Sequence, residues 1–431
     1  MIARPYPEIL DVSIREAVGK TLAEDIFATE DIPNKPEATM DGYAVRISDL
    51  GDSRGRLKIC KESLSLPHRG AVHVSNGGRM PKGTDTVVRI EETDLRKDEI
   101  EIRGPVKVGD YVRERGSEAR AGQTILYRGT RIDFPLIGIL GILGRNSALV
   151  YNKMFNGCYF ETPSNIFIHD LVSTWGRKAS SFGSDGCSTR TVVANAPRVA
   201  IFSTGNEIIP LGKRKMAGQV YEKNSYVLGA MVEERGGIPV YGGILPDDTG
   251  TIVTACLDAL RYTDFVLISG GTSVGRLDKI NSVFYHLRDK LGFTIKNSST
   301  IPERAQFACL NRKGIWALPG RIVRAIQIFI IEVWPTLNTL AGRKQPGFDP
   351  SRLLRARLIR NEPWNGQSSS PFVRIVKKRG VNFAIPLPFY REFTCLLHMN
   401  AIVVSPKNGK GIVPGDVVVS YPLYGDTPCT P

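Results

Sequence analysis

Between Arg198 and Leu340 the chain alternates solid apolar runs with stretches in which apolar residues recur every three or four positions. Val199-Ala200-Ile201-Phe202 and Phe265-Val266-Leu267-Ile268 are unbroken, the pattern of parallel strands covered on both faces. Ile238 to Leu245 and Ile315 to Leu318 read as two further strands. Helical spacing fills the gaps. Val227, Leu228, Met231 and Val232 precede Gly236-Gly237; Ile252, Val253, Cys256, Ala259 and Leu260 follow a cap at Asp248 or Thr249. Ile280, Val283, Phe284, Leu287 and Leu291 run up to Gly292, and a strongly apolar helix reaches from Pro319-Gly320 to Pro335. Such alternation predicts right-handed crossovers and a doubly wound α/β domain with a parallel sheet.

The turns that close these strands are the candidate chemistry. Thr204-Gly205, Pro246-Asp247-Asp248, Ser269-Gly270-Gly271-Thr272-Ser273-Val274-Gly275 and Pro319-Gly320 all fall at strand carboxyl ends, where such sheets bind ligands. Glycine lets backbone N–H groups approach an anion, and a helix N-terminus behind each turn adds positive charge. The plainer alternative is that the glycines only close tight turns. Glu207 and Asp248 suit a hard cation held against phosphate oxygens, or equally the satisfaction of free N–H groups at a helix start.

Outside this core the pattern is of shorter pieces. Ser13 and Glu16, at capping-box spacing, predict a helix start within Asp11 to Asp25. From residue 46 to 132 short β-like segments alternate with glycine turns, and Phe134 to Leu143 is apolar. Beyond a Gly/Pro-bearing linker at Gly342 to Gly347, the remainder reads as short strands with turns at Asn408-Gly409 and Pro414-Gly415-Asp416.

Composition bounds the rest. A chain of 431 residues calls for several domains. Arg4, Pro5 and Pro7 do not read as a secretory leader, and no apolar run is long enough to span a bilayer, so a soluble, cytoplasmic protein without a membrane role is expected. Seven cysteines without a CxxC pair indicate reduced thiols, not a zinc ribbon or disulfide framework. The net charge of +14 favours acidic ligands, while the scatter of Lys and Arg and the lack of a recognition motif make nucleic acid an unlikely partner.

The residues Arg198-Val199 through Thr204-Gly205-Asn206-Glu207, Ser269 to Gly275, and Leu318-Pro319-Gly320 resemble the middle domain of the molybdopterin molybdenumtransferase (MoeA) family, to which the gephyrin E domain belongs. Met40-Asp41-Gly42-Tyr43-Ala44-Val45 is similar to that family's MDGYAV segment, and Asn76 to Val88 to its TGAPLPxGADAVV. The resemblance implies an elongated N-terminal domain at 1–45 and 133–151, an inserted β subdomain at 46–132, an α/β molybdopterin-binding-like domain at 197–341 and a C-terminal β-barrel at 342–431. Residues 152–196 have no counterpart and read as a Ser/Thr/Gly-rich insertion, a surface excursion or a docking element; Cys158, His169 and Cys187 within it fit no closed metal site.

The activity implied is transfer of molybdate to the dithiolene of adenylylated molybdopterin with release of AMP, aided by Mg2+ or another divalent cation, in a homodimer whose Asp41 segment faces the cleft of the neighbouring subunit. Carried over residue by residue, Asp41, Glu207 and Asp248 take the catalytic positions, with Glu207 and Asp248 on the metal. Thr204, Gly205, Ser269, Gly270, Gly271, Ser273, Gly275, Arg276, Arg304, Pro319, Gly320 and Arg321 then bind the pterin phosphate and oxyanion. The chain departs from the family's motifs at several of these. Arg276 stands where SVG is followed by an aspartate, with only Asp278 keeping the second acid; LPGNPVS reads Leu318-Pro319-Gly320-Arg321-Ile322-Val323-Arg324; KPGKP is reduced to Ile301-Pro302-Glu303-Arg304; and Asn76 replaces a threonine. Arginine binds anions bidentately and does not coordinate cations. Two readings follow: a transferase with altered metal use, or a gephyrin-like dimeric scaffold that keeps the fold and binds an anion or a protein without turnover.

Overall fold

The computed structural model describes residues 8–50, 56–60, 66–152, 196–216, 218–270, 279–298, 305–311, 313–340, 350–359, 372–388, 391–404 and 415–423. Its centre is the doubly wound domain. In chain order this domain comprises β1 (Arg198–Thr204), α1 (Asn224–Glu234), β2 (Ile238–Leu245), α2 (Thr249–Ala259), β3 (Phe265–Ser269), α3 (Lys279–Leu291), β4 (Thr294–Asn297), β5 (Gln306–Leu310), β6 (Lys313–Leu318) and α4 (Ile322–Ile328). The strands lie in the order β2-β1-β3-β6-β5-β4. The first four are parallel; β5 and β4 extend the sheet antiparallel beyond β6.

The unbroken apolar runs have a direct physical cause, because successive side chains of a strand point to opposite faces. Val199, Ile201, Phe265, Leu267, Trp316 and Leu318 enter one core with α1 and α4. Ala200, Phe202, Val266, Ile268, Ile315 and Ala317 enter a second with α2 and α3. Every position of β3 is therefore buried. The antiparallel strands β4 and β5 carry no such signature, since β4 is largely exposed. The apolar helix after β6 does not end at Pro335: a wide π-helical turn, Phe329–Val333, leads into α5 (Trp334–Leu340). Pro335 is the second residue of α5, so the helix runs on past the proline directly after the widened turn.

The expected helix start at Ser13 is replaced by a strand. Leu10 and Val12 of Ile9–Ser13 pair antiparallel with Val150 and Ala148 of Ser147–Tyr151, and Ser13 instead supports a turn, its Oγ accepting from the Arg15 N–H at 3.3 Å. Pairing across the whole N-terminal region outweighs local capping propensity here. A six-stranded sheet takes in Gly42–Val45, ahead of the 46–132 span expected for it, then Arg56–Cys60, Gly70–Val74, Thr86–Arg89, Thr93–Arg96 and Glu99–Ile102. A five-stranded closed barrel follows the central domain, made of Leu354–Leu358, Phe372–Lys378, Val381–Pro386, Ala401–Val403 and Val417–Pro422.

Two devices lock these parts together. The apolar stretch Phe134–Ile142 is a buried helix in the first core, and Gly138 lets it approach Leu396 of the barrel's helix Glu392–His398 and Val227 of α1. The carboxylate of Glu118 accepts from Arg113 Nη1 at 2.8 Å and from the Thr394 N–H and hydroxyl at 2.9 and 3.1 Å. Arg113 also pairs with Glu37, so a mostly buried cation is shared by two acids. The 152–196 insertion and the turn at Asn408-Gly409 lie outside the described residues.

Candidate anion site at the rim of the central sheet

The chain leaves β1 toward β2 on one side and returns to β3 on the other, so the strand order reverses between β1 and β3. Such a reversal opens a crevice beyond the strand carboxyl ends. The register aligns those ends: Ser203 lies opposite Ser269, and Ser269 opposite Leu318. Thr204-Gly205, Gly270 and Pro319-Gly320 therefore converge on one rim. Gly270 has φ +118°, and a Cβ there would stand 2.3 Å from the Thr204 carbonyl oxygen and 2.9 Å from its Oγ1. Gly320 packs in van der Waals contact on the other side, its own added Cβ meeting the Gly270 Cα at 3.4 Å.

Polar side chains behind the rim are spent on holding this convergence. Asn224, at the start of α1, donates from Nδ2 to Ser269 Oγ and to the Gly320 carbonyl, both at 2.7 Å. Ser269 Oγ in turn donates to the Pro319 carbonyl at 3.3 Å. Glu222 is 6 % exposed, and its carboxylate accepts from Ser203 Oγ at 2.7 Å, from the Ser225 N–H at 2.9 Å and from Ser225 Oγ at 2.6 Å. A buried carboxylate so fully bonded costs little and fastens the end of β1 to the start of α1. Sequence reading passed over Glu222 and Asn224; the signal was a polar Glu-Lys-Asn-Ser run entering an otherwise apolar helix.

Backbone donors are likewise partly used. The Gly205 N–H bonds the Leu245 carbonyl at 3.3 Å, and the Gly270 N–H bonds the Leu318 carbonyl at 3.1 Å. These two amides therefore complete the sheet, and Gly205, Ser269 and Gly270 shape the rim. Two buried atoms at the same place, Thr204 Oγ1 and Asn224 Oδ1, have no hydrogen-bond partner, which leaves unspent polar capacity directly under the crevice.

The acids separate into different tasks. Glu207 is exposed and folds back over the rim, since a Cβ on Gly205 would meet its carboxylate oxygens at 2.8 and 2.9 Å. Asp248 caps α2: its Oδ2 accepts from the Thr251 N–H and hydroxyl, each at 2.8 Å. Its neighbour Asp247 faces the crevice loop instead, exchanging bonds with Asn206, whose N–H reaches Asp247 Oδ2 at 3.4 Å while the Asp247 N–H reaches Asn206 Oδ1 at 3.2 Å. Asp248 thus caps α2 through one carboxylate oxygen, and Asp247 is a second acid at the same turn.

Asp41 comes to this rim from another domain. Gly42 begins its strand with room for no side chain, because a Cβ would meet the Val88 carbonyl at 2.2 Å, and Asp41 is thereby presented at the strand's edge. Its Oδ1 accepts from the Asn76 N–H at 2.8 Å, and Asn76 Oδ1 accepts from Arg321 Nη2. Arg321 is the N-cap residue of α4, directly after Gly320. Asp41, Asn76 and Arg321 thus meet within one chain. Gly271, Ser273, Gly275, Arg276 and Arg304 lie outside the described residues. Among the described residues, no three His, Cys, Asp or Glu side chains gather as a metal cage.

A glycine-lined switch point faced by an arginine, a helix N-terminus and separate carboxylates defines a multidomain α/β protein built to handle an anionic ligand. Residues 2–144 match the family model of the MoeA N-terminal region (domain I and II), and residues 200–339 match that of a probable molybdopterin binding domain. The two matches flank the 152–196 insertion, and the chain belongs to the MoeA family. It is 27 % identical over 355 residues to a molybdopterin molybdenumtransferase of Haemophilus influenzae, covering 79 % of this chain and 75 % of that protein. It is 23 % identical over 438 residues to one of Staphylococcus epidermidis, covering 97 % and 92 %. A crystal structure of a molybdopterin biosynthesis MoeA protein from Pyrococcus horikoshii aligns over 97 % of this chain and 95 % of that one, with 25 % identity and a TM-score of 0.42.

Proposed function

We propose that this chain is a molybdopterin molybdenumtransferase, which inserts molybdate at the dithiolene of adenylylated molybdopterin and releases AMP. The observation that carries the reading is the meeting, on one rim, of the Thr204, Gly270 and Gly320 turns with Arg321 and the Asp41 carboxylate. Arg321 and the first N–H groups of α4 attract the phosphate-bearing end of the substrate, with Arg276 and Arg304 as further cations. The relatives it matches are named for the transferase, which favours turnover over a catalytically silent scaffold.

The donor set suits a hard divalent cation such as Mg2+. Such ions are commonly held by one or two carboxylates, the shell being completed by substrate phosphates and water, so a protein cage is not required. Glu207 and Asp248 are the carboxylates that would hold it, with Asp247 adjacent at the same rim. When bound, the ion supplies charge neutralisation at the phosphoanhydride. The chain's own residues orient the anion, and Glu222 and Asn224 keep the turns from separating. A homodimer is part of this reading, and light scattering would test it.

The test is rescue of molybdoenzyme activity in a molybdenumtransferase-deficient strain. Rescue that vanishes with Glu207→Ala and with Asp41→Ala supports the enzyme; well-folded, expressed protein that fails to rescue refutes it. Changing Arg276→Asp should raise turnover if that arginine limits metal use.

A further inference from the structure

We propose that Glu332 is a positioning residue for the anion site: from the widened turn after α4 it pins the mouth of the β4–β5 hairpin, through Ser298, at the level of the rim. The inference deepens the function proposed above and rests on it only for its kinetic arm. The place follows from register. Ser269 lies opposite Leu318, Ala317 opposite Gln306, and Gln306 opposite Asn297. The next residues outward, Ala305 and Ser298, therefore stand at the level of the strand ends that lead to Gly270 and Pro319. The Ser298 N–H closes the hairpin there by bonding the Ala305 carbonyl at 2.9 Å. Ser298 Oγ then donates to Glu332 Oε1 at 2.6 Å. Both mouth residues are buried, Ser298 at 2 % and Ala305 at 1 % exposure.

Glu332 is out of keeping with its surroundings. It is the acid in Phe329-Ile330-Ile331-Glu332-Val333, where Phe329, Ile330 and Val333 are buried. A π-helical turn takes one more residue than an α turn and so carries the side chains that follow about 100° further round the axis. Within this turn the acid meets the hydroxyl of a strand end 34 residues earlier in the chain. A hydroxyl bonded to a carboxylate is held more strongly than one bonded to a neutral oxygen, which suits an anchor. The bond also closes a ring: from β6 through the Pro319-Gly320 turn and α4 to Glu332, across to Ser298 and Ala305, and back through β5 to β6. Arg321 heads α4 and Arg304 directly precedes Ala305 in the sequence, so two of the cations assigned to the substrate's anionic end are joined to this ring. Fixing the ring fixes the spacing of their points of attachment.

Hydrogen exchange on the ligand-free full chain tests the anchor without any substrate. In Glu332→Ala the Ser298 amide should exchange at least about tenfold faster, the scale of a lost charged hydrogen bond, while the amides of β3 stay unchanged. Glu332→Gln keeps an oxygen that accepts from Ser298 and should stay within about threefold of the parent. Equal exchange in Glu332→Ala and the parent overturns the anchor. A Glu332→Gln chain that exchanges as fast as Glu332→Ala overturns the hydrogen bond as its agent. The kinetic arm uses adenylylated molybdopterin. Glu332→Ala and Ser298→Ala should each raise KM by up to about tenfold with kcat little changed. The double variant should be no worse than the worse single, and Glu332→Gln should recover most of the loss. Additive losses, or a fall in kcat at constant KM, overturn the positioning role. A parent protein without turnover defeats the proposed function, and exchange still decides the anchor.

Discussion

Replacing Gly270 by alanine should loosen the centre of the site more than its one added carbon suggests. The residue holds φ +118°, which an L side chain rarely adopts, and the new Cβ would stand 2.3 Å from a backbone oxygen of Thr204. Backbone strain of about 1–3 kcal/mol adds to overpacking of about 1–3 kcal/mol. Neither strand end can retreat freely, because Asn224 and Ser269 tie β3 to the Pro319-Gly320 turn. The expected total is roughly 2–6 kcal/mol. Global melting of a multidomain chain is a poor gauge; hydrogen exchange of the Phe265–Ser269 amides is local, and 2 kcal/mol corresponds to about 30-fold faster exchange. Gly250→Ala is the control. It lies in α2 with only Asp248 Oδ2 nearby, at 3.5 Å, and should gain about 0.5–1 kcal/mol from helix propensity. Exchange in Gly270→Ala within threefold of the parent would refute the account of the rim as a close-packed crossing of turns.

Other expectations separate roles that adjacent residues conceal. Asp248→Ala should cost about 1 kcal/mol as a lost cap, and Asp247→Ala should leave the urea midpoint little changed; weakened divalent-cation dependence in either variant places that aspartate on the ion. Glu118→Ala leaves the mostly buried Arg113 with Glu37 alone of the two acids it shares and frees the Thr394 N–H, so a loss of about 2 kcal/mol is expected in chemical denaturation. Burial pushes the Asp133 carboxyl up to about 7, against the lowering effects of its bond from the Leu136 N–H and of Arg131. The native state then keeps a proton that the unfolded chain releases near pH 4, so this group's contribution to stability falls as pH rises from about 4 to 7. Asp133→Asn keeps a good cap and should gain about 1–2 kcal/mol at pH 8 and nothing at pH 4.

The parallel core was legible because burial on both faces writes itself as unbroken apolar runs, and the helices declared their inner stripes, with a glycine stop after α1 and α3. Where one face meets water or a pairing partner lies far along the chain, the reading failed. Ile9–Ser13 carries a capping box, yet its pairing with Ser147–Tyr151 overrides it. The β4 and β5 strands hide because polar residues such as Lys296 and Asn297 in β4 and Gln306 in β5 interrupt them, β5 being set by pairing to β6 and β4 by pairing to β5.

The site was legible as a place but not as a division of labour. Strand order decides where a ligand can lie, and the glycine turns could be counted from sequence. Which amides remain available depends on neighbouring strands, and this is why Gly205 and Gly270 turn out to bond Leu245 and Leu318. The same dependence divides the two adjacent aspartates: once Asp248 occupies the N-cap of α2, Asp247 is the one left to face Asn206. A motif therefore assigns acidity to a turn, whereas the helix that follows decides which acid is spent on it. Metal capacity at this rim follows from that choice, and exchanging the Asp247 and Asp248 side chains one at a time measures it directly.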